Sequence, residues 1–471
     1  MSLFTNHRGP YGLDAGWRPA ARLVLLGLIA VALAASAGAA ATASRRPNIL
    51  LITMDNLGYG DLGCYGNREM LTPNIDALAG ESVRCTAFYS ASPTCTVSRA
   101  TLLTGRYPQR IRLNIQLPGI EGNYGVGLRH PERLIPGYLK AAGYASACFG
   151  KWNIGFAPGS RPTERGFDEF IGNASGNIDA YTHVYKGKLD LHRGIEEFHS
   201  DLYSTELYAD SAIDFIRRKS GGPFFVYLPF DAPHYPSAEN VAKGVPVKWQ
   251  APAKYFDRYH LSPDEPDPRK RYRVVVTALD DAIGRVLQTL EELRLRENTL
   301  VILYSDNGAF MLPGRGLEVA SNAPLRGGGV TLWEGGIRVA AMFRWPGQLP
   351  AGTVCGEPII STDILPTLLA VAGIPLPVDR VLDGQNIQSV LAGRSAAPAR
   401  DLFWEFQQGK EKMSAVRRGQ YKLHRSNPDV PWALFDIVND IGETKDLAAA
   451  KPHLLQSLVS SYQQWSEAVV D

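Results

Sequence analysis

The sequence has few cysteines and no excess of either charge. Five cysteines occur in 471 residues, and an odd number does not fit a closed disulfide framework. No CxxC pair or Cys/His cluster is present, so nothing in the spacing indicates a zinc site. Lys and Arg number 49 against 47 Asp and Glu, which leaves no polycationic field, and we expect no nucleic-acid partner.

Long apolar runs are missing after residue 43. The apolar run 23–33 follows two arginines and precedes small residues ending in an Ala-x-Ala pattern at 41–43, which is typical of a cleaved leader. The run is shorter than the roughly 20 residues of a membrane span, although the alanines after it leave an uncleaved anchor open. We predict that residues 1–43 are a signal peptide or N-terminal anchor. The protein would then be exported, periplasmic or secreted, and membrane-bound only without cleavage.

The remaining sequence indicates two regions of different texture. Short apolar runs such as 48–54 alternate with helical patterns such as Tyr272–Leu293, and this order predicts a mostly parallel sheet flanked by helices. Short strand-like pieces from residue 402 to 436, followed by a helix near 453–469, predict a small antiparallel sheet with one helix. We therefore predict a main α/β domain at residues 44–384 and a C-terminal α+β subdomain at 385–471.

Polar residues follow the carboxyl ends of several predicted strands. They are Asp55 and Asn56, Lys151, His234, and Asp306 and Asn307. Open α/β sheets place their ligands beyond these strand ends, so the residues are candidates for one site. Each also has a structural explanation, because Asp-Asn before glycine forms turns, a lysine can extend along the surface, and a histidine between prolines can be hydrogen-bonded.

Cys95 lies in a polar turn that leads into a predicted helix at 98–103. Backbone N–H groups at such a helix start favour anionic chemistry. Arg99 follows four residues later, about one helical turn away, and could face the same point. Taken alone, the pair is more typical of a buried cysteine beside a surface arginine than of a functional site.

The stretch from Cys95 to Arg99, continued by Leu-Leu-Thr-Gly-Arg-Tyr-Pro at 102–108, resembles the signature of the sulfatase family, Cys-x-Pro-x-Arg with a Leu-Leu-Thr-Gly-Arg-like continuation. The strand-end residues, Gly-Lys-Trp at 150–152 and Trp-Glu-Gly-Gly at 333–336 follow the family's order across nearly the whole chain after the leader. Four positions differ from its pattern. They are Asn56 for Asp, Val97 for Pro or Ala, Asn153 for His and Gly329 for Lys.

The resemblance implies an alkaline phosphatase-like fold and an arylsulfatase-like sulfuric ester hydrolase. It implies that a formylglycine-generating or equivalent enzyme oxidises Cys95 to formylglycine. It also implies a calcium ion, rather than magnesium, whose implied ligands are Asp55, Asn56, residue 95, Asp306 and Asn307; oxygen ligands of this kind suit calcium. The implied catalytic residues are Cys95, Arg99, Lys151 and His234, of which Lys151 and His234 also bind substrate.

Three functions remain open at this point. The first is hydrolysis of sulfate monoesters of carbohydrates or aryl sulfates. The second is hydrolysis of phosphonate or phosphate esters within the same superfamily. The third is binding of sulfated glycans by a catalytically impaired sulfatase-like protein. In an active enzyme, Arg315, Arg326 and His183 are candidates to replace the altered groups; otherwise we expect low turnover. We expect the segments 156–200 and 236–268 to carry substrate specificity.

Overall fold

The computed structural model describes residues 46–117, 125–236, 249–311, 318–409 and 411–470. The described residues from Arg46 onward form one compact unit. The predicted leader lies outside these ranges, and the boundary between residues 384 and 385 stays a prediction. Among the helices within the described ranges, none combines the length and apolar character that crossing a bilayer requires.

The strands of the described residues fall into three sheets. The first eight are β1 Asn48–Met54, β2 Val83–Tyr89, β3 Ala145–Phe149, β4 Glu169–Gly172, β5 Val184–Tyr185, β6 Lys188–Leu189, β7 His192–Arg193 and β8 Glu196–Glu197. The next five are β9 Phe224–Pro229, β10 Thr299–Ser305, β11 Arg338–Arg344, β12 Thr353–Cys355 and β13 Ile359–Ile360. The last four are β14 Asp401–Gln408, β15 Glu411–Arg418, β16 Tyr421–Arg425 and β17 Ala433–Asp436.

The α-helices of the same ranges surround these sheets. The first six are α1 Pro73–Gly80, α2 Cys95–Thr104, α3 Pro108–Ile111, α4 Ile135–Leu139, α5 Ser204–Lys219 and α6 Ala253–Asp257. The others are α7 Pro268–Glu292, α8 Glu334–Ile337, α9 Ile364–Val371, α10 Gln388–Leu391 and α11 Pro452–Ala468.

The large sheet has the strand order β12-β2-β11-β10-β1-β9-β3-β4-β7-β8, and β13 also pairs with β2. Its centre is parallel, since β1 pairs in parallel with β9 and β10, and β3 pairs in parallel with β9. Every residue of β1 and β10 is buried, as expected for strands covered on both faces. The antiparallel partners of β11 make the sheet mixed. The predicted class, a large sheet flanked by helices, is confirmed.

The helices agree with the predicted segments except at one place. The predicted helix at 204–219 is α5, and the amphipathic pattern at 272–293 belongs to the 25-residue α7. The helix predicted over 134–143 is shorter, because α4 ends at Leu139 and continues only as a 3₁₀ turn over Lys140–Ala142. Proline and glycine at positions 136 and 137 support only its first turn.

The segment predicted as loop-rich, 156–200, contains only short strands and one 3₁₀ turn among its loops. Its two-residue strands β5 and β6 form a separate small sheet, whereas β4, β7 and β8 extend the edge of the large sheet. The segment therefore forms the end of the large sheet next to β3, where β4 pairs in parallel with β3.

The predicted C-terminal antiparallel sheet is present as β14 to β17 in sequential order, and α11 packs against it. The indole Nε1 of Trp404, on β14, donates to the carbonyl of Ser90, just after β2, at 2.8 Å. A second attachment, which we call the junction cluster, consists of Glu334, Arg338, Lys422 and Glu443. In it the Lys422 ammonium lies 3.0 Å from Glu334 and 2.8 Å from Glu443, with all three side chains fully buried.

Candidate functional site

Two adjacent strands bring the predicted acidic residues together. β1 and β10 pair in parallel, so Asp55 and Asp306, which come directly after these strands, emerge at the same edge of the sheet. The Lys151 ammonium lies 2.5 Å from Asp55, and the Arg99 guanidinium lies 2.8 Å from Asp306. All four side chains are at most 1% exposed. We call Asp55, Arg99, Lys151 and Asp306 the strand-end cluster.

Cys95 is the first residue of α2, a helix whose ten residues are all buried. Its thiol can donate to Asp55 Oδ1 at 3.1 Å or to Asn56 Oδ1 at 3.7 Å. Arg99, one turn later, donates to the carbonyl of Lys151 at 2.9 Å and lies 3.7 Å from Asp55. The structure thus directs both residues of the Cys-x₃-Arg pair toward the same carboxylates.

Gly150 sets the direction of Lys151 at the end of β3. Its φ of +131° is one that residues with a side chain rarely adopt, and a Cβ there would collide with the carbonyl of Pro229. The close approach allows the Lys151 N–H to donate to that same carbonyl at 2.7 Å. The Lys151 side chain then extends past the end of β9 and donates to Asp55, which follows β1.

His234 lies five residues beyond the end of β9 and faces the cavity that borders the cluster. A ring nitrogen of His234, the Cys95 sulfur and an Asp55 oxygen all lie within 4.8 Å of one another. His234 Nδ1 lies 2.7 Å from the Tyr235 carbonyl oxygen. A carbonyl can only accept, so Nδ1 carries the proton and Nε2 is the nitrogen available to a substrate.

Burial and mutual charge shift the pKa values of this site in opposite directions. Burial alone would raise the pKa of Asp55, but the charges of Lys151, His234 and Arg99 outweigh it and hold that pKa below its ordinary value. Burial and then the charge of Asp55 raise the pKa of Asp306 to about 6. Burial and Asp55 likewise raise the pKa of the Cys95 thiol well above its ordinary value. As a thiol, Cys95 is therefore protonated and weakly nucleophilic.

The predicted metal ligands present a suitable set of oxygen atoms. Asn307 Nδ2 donates to Asn56 Oδ1, so the two amides lie in contact. Asn307 Oδ1 is buried and has no hydrogen-bond partner within the described part of the chain. A buried acceptor without a donor is costly unless a cation or water satisfies it. The residues at positions 55, 56, 306 and 307 therefore fit a hard divalent cation.

A cavity of about 590 Å³ opens onto this cluster. Cys95, Lys151 and His234 belong to its lining. Four aromatic residues also line the cavity, and they are Tyr185, Tyr235, Phe310 and Phe406. The C-terminal sheet supplies part of the lining through Phe406 and Gln407 of β14. The volume falls in the range of small-molecule pockets, and the flat rings suit a cyclic ligand.

Neighbouring side chains contact Asn153 and fill the space beside Gly329, two of the four positions that differ from the family pattern. Asn153 lines the cavity, and its Oδ1 accepts from Thr96 Oγ1 and from Gln116 Nε2, both at 3.2 Å. A Cβ at Gly329 would lie 2.5 Å from the ring of Phe310, so that aromatic side chain fills the space a lysine there would need.

Of the three candidate replacements, the two that the structure describes, Arg326 and His183, are not part of the strand-end cluster. The Arg326 guanidinium stacks 3.6 Å over Trp333 and donates to the Glu443 carbonyl, which directs it toward the junction cluster. His183 is buried beside Asp179. Arg315 lies outside the described residues.

Sequence reasoning missed Gln116, Tyr235 and Phe310 as cavity residues. The latter two had a usable signal, because Tyr235 follows His234 directly and Phe310 follows the second strand-end pair by three residues. Gln116 had none. Its loop is joined to the site only by contacts between remote segments, such as the bond from the Thr96 N–H to Gln116 Oε1 at 3.0 Å.

Comparison with known proteins gives a consistent result over most of the chain. Residues 47–374 match the family model described as Sulfatase, and residues 330–464 match the one described as N-sulphoglucosamine sulphohydrolase, C-terminal. N-acetylgalactosamine-6-sulfatase from Canis lupus familiaris is 36% identical, covering 88% of this chain and 76% of that protein. Arylsulfatase A from Homo sapiens is 31% identical, covering 90% of this chain and 88% of that protein.

Solved structures show the same fold. Ps i-CgsB in complex with k-i-k-neocarrahexaose matches with a TM-score of 0.80 and 30% identity, covering 90% of this chain and 93% of that one. The phosphonate monoester hydrolase of Agrobacterium radiobacter matches with a TM-score of 0.63, 90% of this chain and 96% of that one, at 20% identity, which shows the fold alone. The alkaline phosphatase-like architecture predicted from the sequence is confirmed.

Proposed function

This chain belongs to the sulfatase family, and we propose that it hydrolyses sulfate monoesters of carbohydrates through a formylglycine at position 95 and a bound calcium ion. The observation that carries the proposal is the meeting of Cys95, the strand-end cluster and His234 at the end of one cavity. A sulfate placed there would meet a cation on one side and a histidine on the other. This arrangement suits transfer of an anionic group from an alcohol oxygen.

Asp55, Asn56, Asp306, Asn307 and residue 95 would hold the calcium. When bound, the ion supplies positive charge to the sulfate oxygens, and the hydrated formylglycine supplies a nucleophilic hydroxyl. Asn56 keeps an oxygen ligand but carries no charge, so we expect weaker calcium binding than an aspartate there would give.

The side chains around residue 95 have separable roles. Lys151 binds a sulfate oxygen and stabilises the charge that develops on it. Arg99, held by Asp306 and by the Lys151 carbonyl, keeps the first turn of α2 positioned and positive. The Tyr235 carbonyl fixes the His234 ring through Nδ1–H, which leaves Nε2 facing the ester oxygen. Burial lowers the pKa of this ring to about 4, so Nε2 would donate to the leaving alcohol oxygen once the bound anionic substrate had raised that pKa.

A sulfated carbohydrate is the substrate class that the cavity fits best. Two of the similar proteins have names that mention a carbohydrate. They are N-acetylgalactosamine-6-sulfatase and Ps i-CgsB in complex with k-i-k-neocarrahexaose. The aromatic rings of Tyr185, Tyr235, Phe310 and Phe406 offer flat apolar faces of the kind that pack on sugar rings. Aryl sulfates would use the same faces.

Maturation belongs to the proposal because Cys95 is only 3% exposed in the folded chain. A formylglycine-generating or equivalent enzyme could not reach it there, so we infer that modification precedes folding. Modification before folding is compatible with export of an unfolded chain, and the predicted leader would direct such export.

The test joins two measurements on protein expressed with a formylglycine-generating enzyme. Peptide mass analysis should find aldehyde in place of the thiol at residue 95, and calcium-supplemented protein should release sulfate from members of a sulfated-oligosaccharide panel. Cys95→Ala should abolish release, whereas Cys148→Ala, which removes a buried β3 cysteine, should keep it. Faster turnover of matched phosphate or phosphonate esters would move the assignment to that reaction. An unmodified cysteine in a protein that binds the glycans without turnover would indicate a binding protein.

A further inference from the structure

Two cysteines outside the site face each other across neighbouring strands. Cys85 on β2 is in direct parallel register with Cys355 on β12. Neighbouring strands lie about 4.8 Å apart, within the Cα separation of about 4.4–6.8 Å that a disulfide requires. Both are thiols in the structure. Each belongs to the same hydrophobic cluster, so both side chains lie on the same face of the sheet.

The other cysteines are placed differently. Cys148 on β3 is in register with Tyr227 and Phe170 rather than with a cysteine. Cys64 lies in a 3₁₀ turn, where its N–H donates to Asp76. Cys95 faces the carboxylates of the site. Among the described cysteines, Cys85 and Cys355 are therefore the pair that strand register brings side by side.

We propose that Cys85 and Cys355 form a disulfide when the protein meets a disulfide oxidant such as glutathione disulfide. Cys355 reacts first, because it is 8% exposed on a three-residue edge strand whereas Cys85 is fully buried. Its thiolate attacks the oxidant, forms a mixed disulfide and releases one glutathione. The Cys85 thiolate then attacks the Cys355 sulfur and releases the second. Two electrons pass to glutathione, and the two thiol protons leave with it.

The contact between the two side chains supports this order. A hydrogen bond from Cys85 is the main cause that lowers the pKa of Cys355 to about 7, whereas that bond and burial raise the pKa of Cys85 well above its ordinary value. The thiol at the sheet edge is thus the more acidic of the two. A thiol whose pKa is near ambient pH is well suited to attack a disulfide.

The bond would fasten the edge of the large sheet to the strand that leads into the site. β12 is held to β2 by only three register pairs, and Thr353 and Val354 beside the cysteine are exposed. β2 continues toward Ser90 and the turn before Cys95, where the Ala91 N–H donates to Ser361 just after β13. Closing residues 85 and 355 into one long loop would restrict the unfolded chain strongly.

The experiment uses the purified full chain, first reduced and then incubated with glutathione disulfide or with reduced glutathione. Alkylation under denaturing conditions and peptide mapping should find a Cys85–Cys355 cross-link, with Cys64 and Cys148 alkylated, only after oxidation. We expect the oxidised protein to melt about 5 °C above the reduced protein. Cys355→Ala should lose this difference, and the control Cys148→Ala should retain it.

The wild-type mapping decides the matter even if a variant folds poorly. Complete alkylation of Cys85 and Cys355 after oxidation would overturn the proposal. A cross-link that joins either residue to Cys64 or Cys148, or glutathione that stays attached to Cys355, would also overturn it. Because sulfate release is not measured, the result is independent of the proposed activity.

Discussion

The strand-end cluster and the junction cluster contain the same four kinds of group. Each has two buried carboxylates, one buried lysine and one arginine. In each, one carboxyl has a lowered pKa and the other a raised one. In the strand-end cluster the pKa of Asp55 is lowered and that of Asp306 is raised. In the junction cluster the pKa of Glu334 is lowered to about 2 and that of Glu443 is raised. Burial opposes ionisation in all four, and the lowered carboxyl of each cluster is held ionised chiefly by its lysine.

The difference between the clusters lies in their surroundings. Lys151 of the strand-end cluster lines a cavity, and an amide oxygen without a partner, Asn307 Oδ1, lies beside that cluster. Lys422 of the junction cluster is fully buried between two glutamates and joins α8 to the C-terminal sheet. A network of buried charges with shifted pKa values is therefore not by itself a functional site. Access to a cavity distinguishes the two, because Lys151 lines one whereas Lys422 is enclosed by protein.

Removing the lysine from each cluster tests this comparison, and the largest effect is expected at the cavity. Lys151→Met should lower kcat/KM for sulfate release by about 10²–10³-fold, because one donor to the developing charge is lost. Its free energy of unfolding should fall by less than that of Lys422→Met, because the Arg99 guanidinium still lies 3.7 Å from Asp55. Steady-state kinetics and urea unfolding measure the two quantities.

Lys140→Met is the matched control for that variant, since Lys140 pairs with Asp168 on the surface at 3.1 Å. It should leave both quantities nearly unchanged. If Lys151→Met destabilised the fold strongly while the residual activity per folded molecule stayed normal, the strand-end cluster would be a structural network like the other.

Lys422→Met should have the opposite profile. It leaves two buried carboxylates facing each other without their shared cation, which costs about 3–5 kcal/mol of unfolding free energy. Activity per folded molecule should change little. Urea unfolding with a parallel assay measures both, and Lys412→Met, which removes an exposed partner of Glu405, serves as control. A loss of turnover without loss of stability would show that the junction cluster contributes to the chemistry.

A smaller effect should come from His424, whose ring stacks 3.7 Å from Trp333 beside the junction cluster. Burial, and then the charges of Lys422 and Arg326, lower its pKa to about 3. Between pH 6.5 and 3 the unfolded chain binds a proton that the native ring does not, so stability falls as pH falls. This one group contributes a slope of about 1.4 kcal/mol per pH unit.

Between pH 6 and 4.5, the free energy of unfolding of His424→Phe should therefore fall by about 2 kcal/mol less than that of the wild type. Urea unfolding at the two pH values measures the difference, and His453→Phe, an exposed change on α11, should behave like the wild type. Parallel pH dependence of the wild type and His424→Phe would show that His424 is protonated in the native state.

The strands and the strand-end residues could be predicted because they depend on local patterns. The apolar run at 48–54 is β1 without change of bounds, and parallel strands bring the residues after their carboxyl ends to one edge of the sheet. The four strands of the C-terminal sheet were also predicted to within a few residues, since turn-forming residues separate them clearly.

Contacts between remote segments could not be predicted in this way. The pairing of Gln116 with Asn153 depends on where two loops meet, and the loss of side-chain space at Gly329 depends on the ring of Phe310. Neither residue has a pattern that indicates its neighbour. The length of α4 was overestimated for a different reason, because the helical periodicity of 134–143 outweighed the proline and glycine near its start.

The contribution of β14 to the cavity has a consequence for how such a protein could change its ligand. Phe406 and Gln407 reach the cavity from a sheet that is encoded more than 90 residues after Asp306 and Asn307. Exchanging the hairpin of β14 and β15 for another of the same length could alter which molecule is accepted while leaving the charged centre untouched. A chain that stopped before residue 401 would keep the residues of the strand-end cluster but lose one wall of the cavity.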